Sequence, residues 1–425
     1  MLDIKFIRDN KDLIKEAARK KHVSFDVDEL IAVDDKRREI LASVEAKRAA
    51  QNEYNDKITK ATPEERAKFI EEMKELKGTM QDEEETLKDV MKSWQILMVQ
   101  VPNVPDISVP EGDSDADNRE VRTWGDIPKF DFTPKDHIEL MEGLDMIDLD
   151  RGTKVAGFRG YFLKNDGALL EFALWQFILE HFSQKGFTPM IVPSLVKREA
   201  MLGTGYLPQG EEDLYKTQDG DYLAGTGEAA TMSYYMDEVI DAHRFPIKML
   251  AFSPCFRREA GSHGKDVKGL YRVHEFFKFE QVVLCEANHE TSVALHEEIT
   301  RNAEEMLEAL ELPYHVVVNC GGDLGLGQVK KYDIEVWRPG HGGGKGSYGE
   351  THSASYFHDF QTRRLNIRYK DADGKMKFAH SLNNTAFAFP RILISLIENN
   401  QQADGSILIP KVLQKYMGKG VIKKQ

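Results

Sequence analysis

At 425 residues, with 41% hydrophobic and 30% charged side chains, the chain is long enough for two or three domains around a large core, and it is neither collagen-like nor disordered. Its 57 basic and 71 acidic side chains leave a net charge of −14, which excludes a uniformly basic coat but not a local basic face. Three scattered cysteines, Cys255, Cys285 and Cys320, make neither a disulfide framework nor the paired spacing of a zinc site, so a reducing, cytoplasmic setting without zinc is expected. The N-terminus lacks the apolar core of a signal peptide, and no apolar run is long enough for a membrane span.

Residues 1–100 contain one glycine, Gly78, and one proline, Pro63, and read as helix. Two long helices are expected. The first begins near Asp26, with Glu29 completing a possible capping box, and its seam runs Leu30, Val33, Arg37, Ile40, Val44, Lys47, Gln51, Tyr54, Ile58. The second opens on Thr62, Pro63 and Glu65, an N-cap, a proline at N1 and a capping-box glutamate. Its seam is Phe69, Met73, Leu76, Met80, Glu83, Leu87, Val90, Trp94, Leu97, a heptad pattern broken once by Glu83. Facing one another across a short turn, the two make an antiparallel hairpin, and about 30 residues give an arm of roughly 45 Å. Such an arm either dimerises or reaches a large partner.

An N-terminal helical arm over residues 1–104 is therefore followed by a linker over 105–134, rich in Pro, Asp and Gly, and a domain over 135–425. In that domain residues 172–182 have a helical apolar face. Residues 248–256, 276–286, 314–320, 332–339 and 360–370 read as strands, with helices at 291–310 and 391–399. Hairpin-like strand pairs dominate, so the fold class is α+β, a mainly antiparallel sheet behind a two-helix arm.

The chemistry concentrates in "FRREAGSHGKDVKGLYRVHEFFKFEQ", residues 256–281, two halves around a Gly-containing loop. Arg272, His274, Phe276, Lys278 and Glu280 alternate, which puts cations, an aromatic and a carboxylate on one strand face. Unpaired charges do not belong in a core. The row reads either as a solvated face or as the floor of a polar pocket.

Arg257-x-Glu259 followed by Arg272-xxx-Phe276-xxx-Glu280 resembles the second signature motif of class II aminoacyl-tRNA synthetases, and the stretch as a whole is similar to the bacterial-type seryl-tRNA synthetases. The resemblance runs along the chain through "DIKFIRDN" (3–10), "KVAGFRGYFLKNDGALLE" (154–171), "GFTPMIVPSLV" (186–196, the first motif, which implies a homodimer), "GTGYLPQGEEDLY" (203–215) and "YDIEVW". It implies a class II catalytic domain that uses ATP and Mg2+ to make seryl-adenylate from L-serine. The seryl group then passes to the 3′ end of tRNA-Ser, and of tRNA-Sec where one exists. The arm is implied to read the long variable arm of the tRNA.

By motif position Arg257 is implied at the α-phosphate, Glu259 at the adenine amino edge, Phe276 stacked on adenine and Val273 beside the nucleotide through its backbone. Arg258, Thr351 and His352 are implied as further ATP neighbours, Glu350 and Ser353 as holding Mg2+ through ATP, and Arg391 at the γ-phosphate. Thr226, Gly227, Glu228, Arg257, Glu280 and Thr385 are implied around serine, and Arg257, Glu350 and Arg391 as the catalytic set. The sequence departs from the family at "LNNTAFAFPR" (382–391), where glycines are usual, at His352, Ala354 and Tyr356, and at Gly349, where the family usually carries Arg. The Gly-rich "PGHGGGKGSYG" (339–349) lacks the context of a phosphate cradle and reads as a flexible loop, and "GGDLGLG" (321–327) is weak as a dinucleotide fingerprint. Two other readings are a synthetase paralogue that charges a non-tRNA acceptor and a catalytically dead coiled-coil interaction protein.

Charge is distributed unevenly. Residues 1–100 hold 20 basic and 23 acidic side chains, −3 of the −14. Basic residues cluster at Lys15, Arg19, Lys20 and Lys21, at Lys36, Arg37 and Arg38, and at Lys47 and Arg48, local stripes of the kind an RNA backbone needs.

Overall fold

A computed structural model describes residues 1–261 and 268–424. The loop expected inside the 256–281 motif falls largely at 262–267 and lies outside the described residues. The chain divides into two compact units. One comprises 1–19 and 23–102, the other 20–22 and 103–425.

The first unit contains α1 (Ile4–Asp9), α2 (Lys11–Lys20), α3 (Val27–Lys60) and α4 (Pro63–Met98). Asp26 caps α3 by accepting from the backbone N–H groups of Asp28 and Glu29. At the start of α4 the Glu65 carboxylate accepts from both the backbone N–H and the hydroxyl of Thr62. The expected seam residues are all buried or half-buried, and α3 packs antiparallel on α4 along their length. Glu83, the break in the heptad pattern, is met from α3 by the Ser43 hydroxyl at 3.1 Å and the Lys47 ammonium at 2.9 Å. A half-buried seam carboxylate is thus paired rather than exposed, which fixes the register of the hairpin at some cost in stability.

The second unit is built on an eight-stranded sheet. Its strands in chain order are β1 (Arg119–Trp124), β2 (Thr188–Ile191), β3 (Ile247–Phe256), β4 (Glu275–Cys285), β5 (Tyr314–Val318), β6 (Lys330–Arg338), β7 (Ser347–His358) and β8 (His380–Ala388). Spatially the order is β1-β5-β6-β7-β8-β4-β3-β2, and only the β2–β3 pair is parallel. β1 lies inside the stretch read as a linker, so those residues supply an edge strand. Three helices close the core: α5 (Asp166–Ser183), α6 (His289–Ala309) and α7 (Arg391–Asn399). α6 packs on β7 and β8, and α7 on β6.

One expected strand is corrected. Residues 360–370 form a helix, Phe360–Arg364, and only Arg368–Lys370 are extended. Gln361 and Thr362 are buried and bonded to Glu228 and to the Ala379 carbonyl, and Asn366 at φ 54° turns the chain before the strand begins. Tertiary hydrogen bonds override the alternating pattern there. The Gly-rich residues 339–349 form the β6–β7 connection, with a short helical turn at His341–Gly344. Among the described residues no helix is long and apolar enough to cross a membrane.

Lys21 belongs with the second unit. Its buried ammonium donates to the backbone carbonyls of Gly325, Leu326 and Gln328 at 3.0, 3.0 and 2.5 Å, three acceptors for three protons. Lys21→Met leaves the Gln328 carbonyl without its donor, while the Gly325 and Leu326 carbonyls keep the backbone N–H groups of Gln328 and Asn103, and it should lower the unfolding free energy of this unit by about 1 to 3 kcal/mol, read by urea denaturation. An unchanged midpoint would mean that water replaces the lysine there.

Candidate active site

One face of the sheet forms the floor of a cleft of about 290 Å³. β4 brings Phe276, Lys278 and Glu280 to it by strict alternation, as expected for the strand face. Arg272 reaches the same cleft from the segment before the strand. His274 does not, because β4 begins only at Glu275. The His274 ring turns away, with Nδ1 at 2.9 Å from the Arg257 carbonyl.

β7 contributes Glu350, Thr351, Ser353 and Ser355. Plain alternation cannot place Glu350 and Thr351 on one side. The register supplies the reason: Ile334 pairs with His352 and Glu335 with Glu350, so Thr351 is an extra residue in a β-bulge. The bulge corrects the expectation for His352. That ring is buried outside the cleft, bonded to the Thr351 hydroxyl and the Ala386 carbonyl, and burial pushes its pKa down to about 4. A second bulge, at Ala386 on β8, aligns Thr385 directly with Glu280.

The two ends of the cleft differ in charge. At one end, carboxylates are linked in a buried network. Lys278 donates to the Thr226 hydroxyl at 2.7 Å, Thr226 donates to Glu280 at 3.0 Å, and Lys278 also pairs directly with Glu280. Asn383 donates to the other Glu280 oxygen at 3.1 Å. Nearby, Glu228 accepts from Tyr206 at 3.0 Å and from Gln361 at 2.6 Å. Burial, with the Glu280 charge adding to it, pushes the Glu228 carboxyl up to about 7. Thr226 and Gly227 lie beneath the floor. Thr226 acts within the network, and Gly227 precedes the short helix Glu228–Ser233, where a Cβ would stand close, 3.2 Å from the Ser253 hydroxyl and 3.3 Å from the Ala251 methyl.

At the other end arginines dominate. Arg257 sits over the Phe276 ring at 5.3 Å and donates to the Gly225 carbonyl. Arg272 pairs with Glu259 at 3.2 Å, and Glu259 itself is held at φ 56°, a backbone strain of the kind stored at functional sites. Arg391, the first residue of α7, donates to the Glu350 carbonyl and carboxylate at 3.0 and 3.2 Å and lies over the Tyr271 ring. Burial pushes the Glu350 carboxyl up, but Arg391, Lys331 and Arg257 outweigh it and hold the pKa below the usual carboxylate range. Of the expected residues, Arg257, Glu259, Val273, Phe276, Glu350, Thr351, Ser353, Arg391, Glu228, Glu280 and Thr385 line this one cleft. Arg258 does not. Its exposed guanidinium donates outward to the Glu212 carbonyl.

Sequence reasoning missed Tyr206, Tyr271, Asn383 and the loop Gly325–Gln328, all of which line the cleft. Lys278 and Arg272 stood in the alternating row without a site role. Among the described residues no three His, Cys, Asp or Glu side chains converge as a metal centre.

Comparisons with known proteins agree in both units. Residues 1–105 match the family model described as the seryl-tRNA synthetase N-terminal domain, and residues 215–400 match the class II tRNA synthetase core domain (G, H, P, S and T). A serine–tRNA ligase of Deinococcus radiodurans is 45% identical over 419 residues, 98% of each chain. Among solved structures, the seryl-tRNA synthetase from Pyrococcus horikoshii complexed with ATP superposes with a TM-score of 0.91 at 36% identity, covering both chains fully. The cytoplasmic serine–tRNA ligase of Naegleria fowleri in complex with AMP gives 0.87 at 31%, over 100% of this chain and 99% of that one.

The raised Glu228 carboxyl has a consequence for stability. The fold favours its protonated form, so its stabilisation is full below the ordinary value of 4.5 and is lost as pH rises through about 7. In the ligand-free protein, Glu228→Gln should flatten the decline in stability between about pH 5 and 8 by on the order of 3 kcal/mol, measured by urea unfolding at each pH. Parallel curves for the two proteins would show that this carboxyl is ionised throughout.

Proposed function

The chain belongs to the seryl-tRNA synthetase family, and on that premise we propose that it is an ATP-dependent serine–tRNA ligase acting through this cleft. The observation that carries the reading is the polarity of the cleft: a carboxylate-rich end suited to an ammonium and a hydroxyl, continuous with an arginine-rich end suited to phosphates.

In the first step a serine carboxylate oxygen attacks the α-phosphorus of ATP. The bond from the α-phosphorus to the bridging oxygen breaks, and pyrophosphate leaves. In the second, a hydroxyl of the 3′-terminal ribose attacks the seryl carbonyl and AMP leaves. Displacement at phosphorus asks the protein for positioning and charge neutralisation. Arg257 is assigned to the α-phosphate and the serine carboxylate. Phe276 and Val273 take the adenine, with Glu259 on its amino edge. Arg391 takes the γ-phosphate. Glu228 and Glu280 hold the serine ammonium and hydroxyl, with Thr226, Lys278 and Thr385 fixing the hydroxyl side. A pocket that hydrogen-bonds a hydroxyl rejects the analogue that lacks it, because its own buried groups are then left unpaired. Gly227 acts by leaving space. Arg258 and His352, placed outside the cleft, are given no contact.

The cleft fits Mg2+ carried by ATP. Glu350, kept ionised by its cationic neighbours, and the Ser353 hydroxyl give two hard oxygen donors on one face, and Mg2+ commonly takes one or two protein ligands with phosphates and waters completing its shell. When bound, it neutralises phosphate charge. A homodimer is part of the same reading. Ile191, in the segment resembling the first class motif, is 89% exposed and Phe172 is 52% exposed, apolar surface that a second copy would cover. The three free buried cysteines suit a reducing cytoplasm. The arm is assigned to tRNA-Ser, and to tRNA-Sec where one exists. An acceptor other than tRNA, or a dead enzyme, fits less well, because the arm and the expected phosphate-end residues are present together.

ATP–pyrophosphate exchange across a panel of amino acids tests the reading. Exchange is expected with serine alone, and no serine-dependent exchange would sink it. Deleting residues 33–94 should leave exchange nearly intact and abolish charging of tRNA-Ser. Charging that survives the deletion would contradict the role given to the arm.

A further inference from the structure

Arg338, at the end of β6, has not entered the site so far, and its surroundings are unusual. It is only 8% exposed, yet no carboxylate among the described residues pairs with it. Its Nε is buried without a partner, and Nη2 makes only two long contacts, to the Ser347 hydroxyl and the Tyr348 carbonyl, both at 3.4 Å. A guanidinium carries five donors, and a buried Nε–H without an acceptor, beside an Nη2 held only by long contacts, is costly unless an anion arrives.

Two neighbours say where that anion would be. Arg338 lies over the ring of Tyr271 at 4.2 Å, and Arg391 lies over the same ring at 4.6 Å. Tyr271 and Arg391 both line the arginine-rich end of the cleft. Two cations therefore converge on one aromatic ring, and the nearby Glu350 carboxylate is paired to Arg391. The second neighbour is Gly349. A Cβ there would stand 2.5 Å from Arg338 Nε and 2.7 Å from its Cζ. Position 349 has no side chain, and Arg338 from the adjacent strand fills the space a side chain would take. This is the position at which the sequence departs from its family by lacking an arginine.

We propose that Arg338 is a further nucleotide-binding cation: entering from β6, it supplies the guanidinium missing at position 349 and, beside Arg391, takes the terminal phosphates of ATP and the pyrophosphate released from it. The proposal rests on the cleft being the ATP site. With no carboxylate to hold it, the guanidinium can turn from the Tyr271 ring toward the cleft, and Gly349 leaves it room to do so.

The test uses the full-length protein with inorganic pyrophosphate as the probe, binding read by calorimetry, alongside KM for ATP in serine-dependent exchange. Arg338→Met keeps the aliphatic stem of the side chain and removes the guanidinium and its charge. It should weaken pyrophosphate and raise KM for ATP by about tenfold to a hundredfold, while serine affinity and the thermal midpoint stay near wild type. Gly349→Arg alone should also be impaired, since its side chain meets Arg338. The double variant Arg338→Met with Gly349→Arg should recover most of the loss, because one guanidinium again occupies the shared space. Pyrophosphate affinity in Arg338→Met within about twofold of wild type would overturn the proposal, as would an equal loss of serine affinity and stability, or a double variant no better than Arg338→Met. If Arg338→Met does not fold, Arg338→Lys decides: weaker pyrophosphate binding in a folded protein supports the role, and unchanged binding overturns it. A wild type that binds pyrophosphate through Arg338 but shows no serine-dependent exchange would defeat the proposed function while leaving this residue's role intact.

Discussion

On β4 the side chains of Phe276, Lys278 and Glu280 share the cleft because a strand alternates its faces, and the rest of the site is built around that constraint. A strand that brings an aromatic, a cation and a carboxylate to one face must give each a partner or a ligand. Here Lys278, Thr226 and Glu280 are bonded to one another in the empty site, so a substrate hydroxyl has to enter that network. On the neighbouring strands alternation alone would have failed. Bulges at Thr351 on β7 and Ala386 on β8 shift the register by one residue, so that Glu350 pairs with Glu335 of β6 and Thr385 with Glu280 of β4.

Charge is divided along this floor with a clear physical purpose. Glu228, buried beside Glu280, leans toward its protonated form in the empty site, and an incoming ammonium would reverse that preference. Glu350 is also pressed by burial, but flanking cations keep it ionised. Two carboxyls of one cleft thus end on opposite sides of the ordinary value, Glu228 raised chiefly by burial and Glu350 lowered by cations that outweigh its burial, one poised for an amino group and the other for phosphate chemistry. The arginine end is less balanced, and Arg338 is where its surplus charge is stored.

The arm and the β4 row were legible in the sequence because both rest on strong periodicities, whereas the other cleft residues were reached through the family resemblance. The heptad seam of α3 and α4, including the odd residue Glu83, is where the spacing puts it, and the period-2 row on β4 is right from Phe276 onward. Failures came where one local event changes the phase. The bulge at Thr351 turns His352 away, the late start of β4 removes His274, and the helix at Phe360–Arg364 replaces an expected strand. Arg258 looked like part of a motif but points to the Glu212 carbonyl. The Gly325–Gln328 wall of the cleft lies in and just after a stretch that reads only as a weak dinucleotide fingerprint. The basic clusters of residues 1–100 were also read too simply. Lys21 is buried against carbonyls, and Arg37, Lys47 and Arg48 are paired with acids of the same unit, so only part of that charge is available to an RNA backbone.

The central claim is that the Thr226–Lys278–Glu280–Thr385 corner recognises a hydroxyl beside an adenylate. The most direct measurement is calorimetric titration of the full-length protein with a non-hydrolysable seryl-adenylate analogue and with its alanyl counterpart. The expected result is a preference for the seryl compound of about a thousandfold or more, since the alanyl form leaves buried polar groups unpaired. Equal affinity for the two would contradict the assignment of that corner to serine.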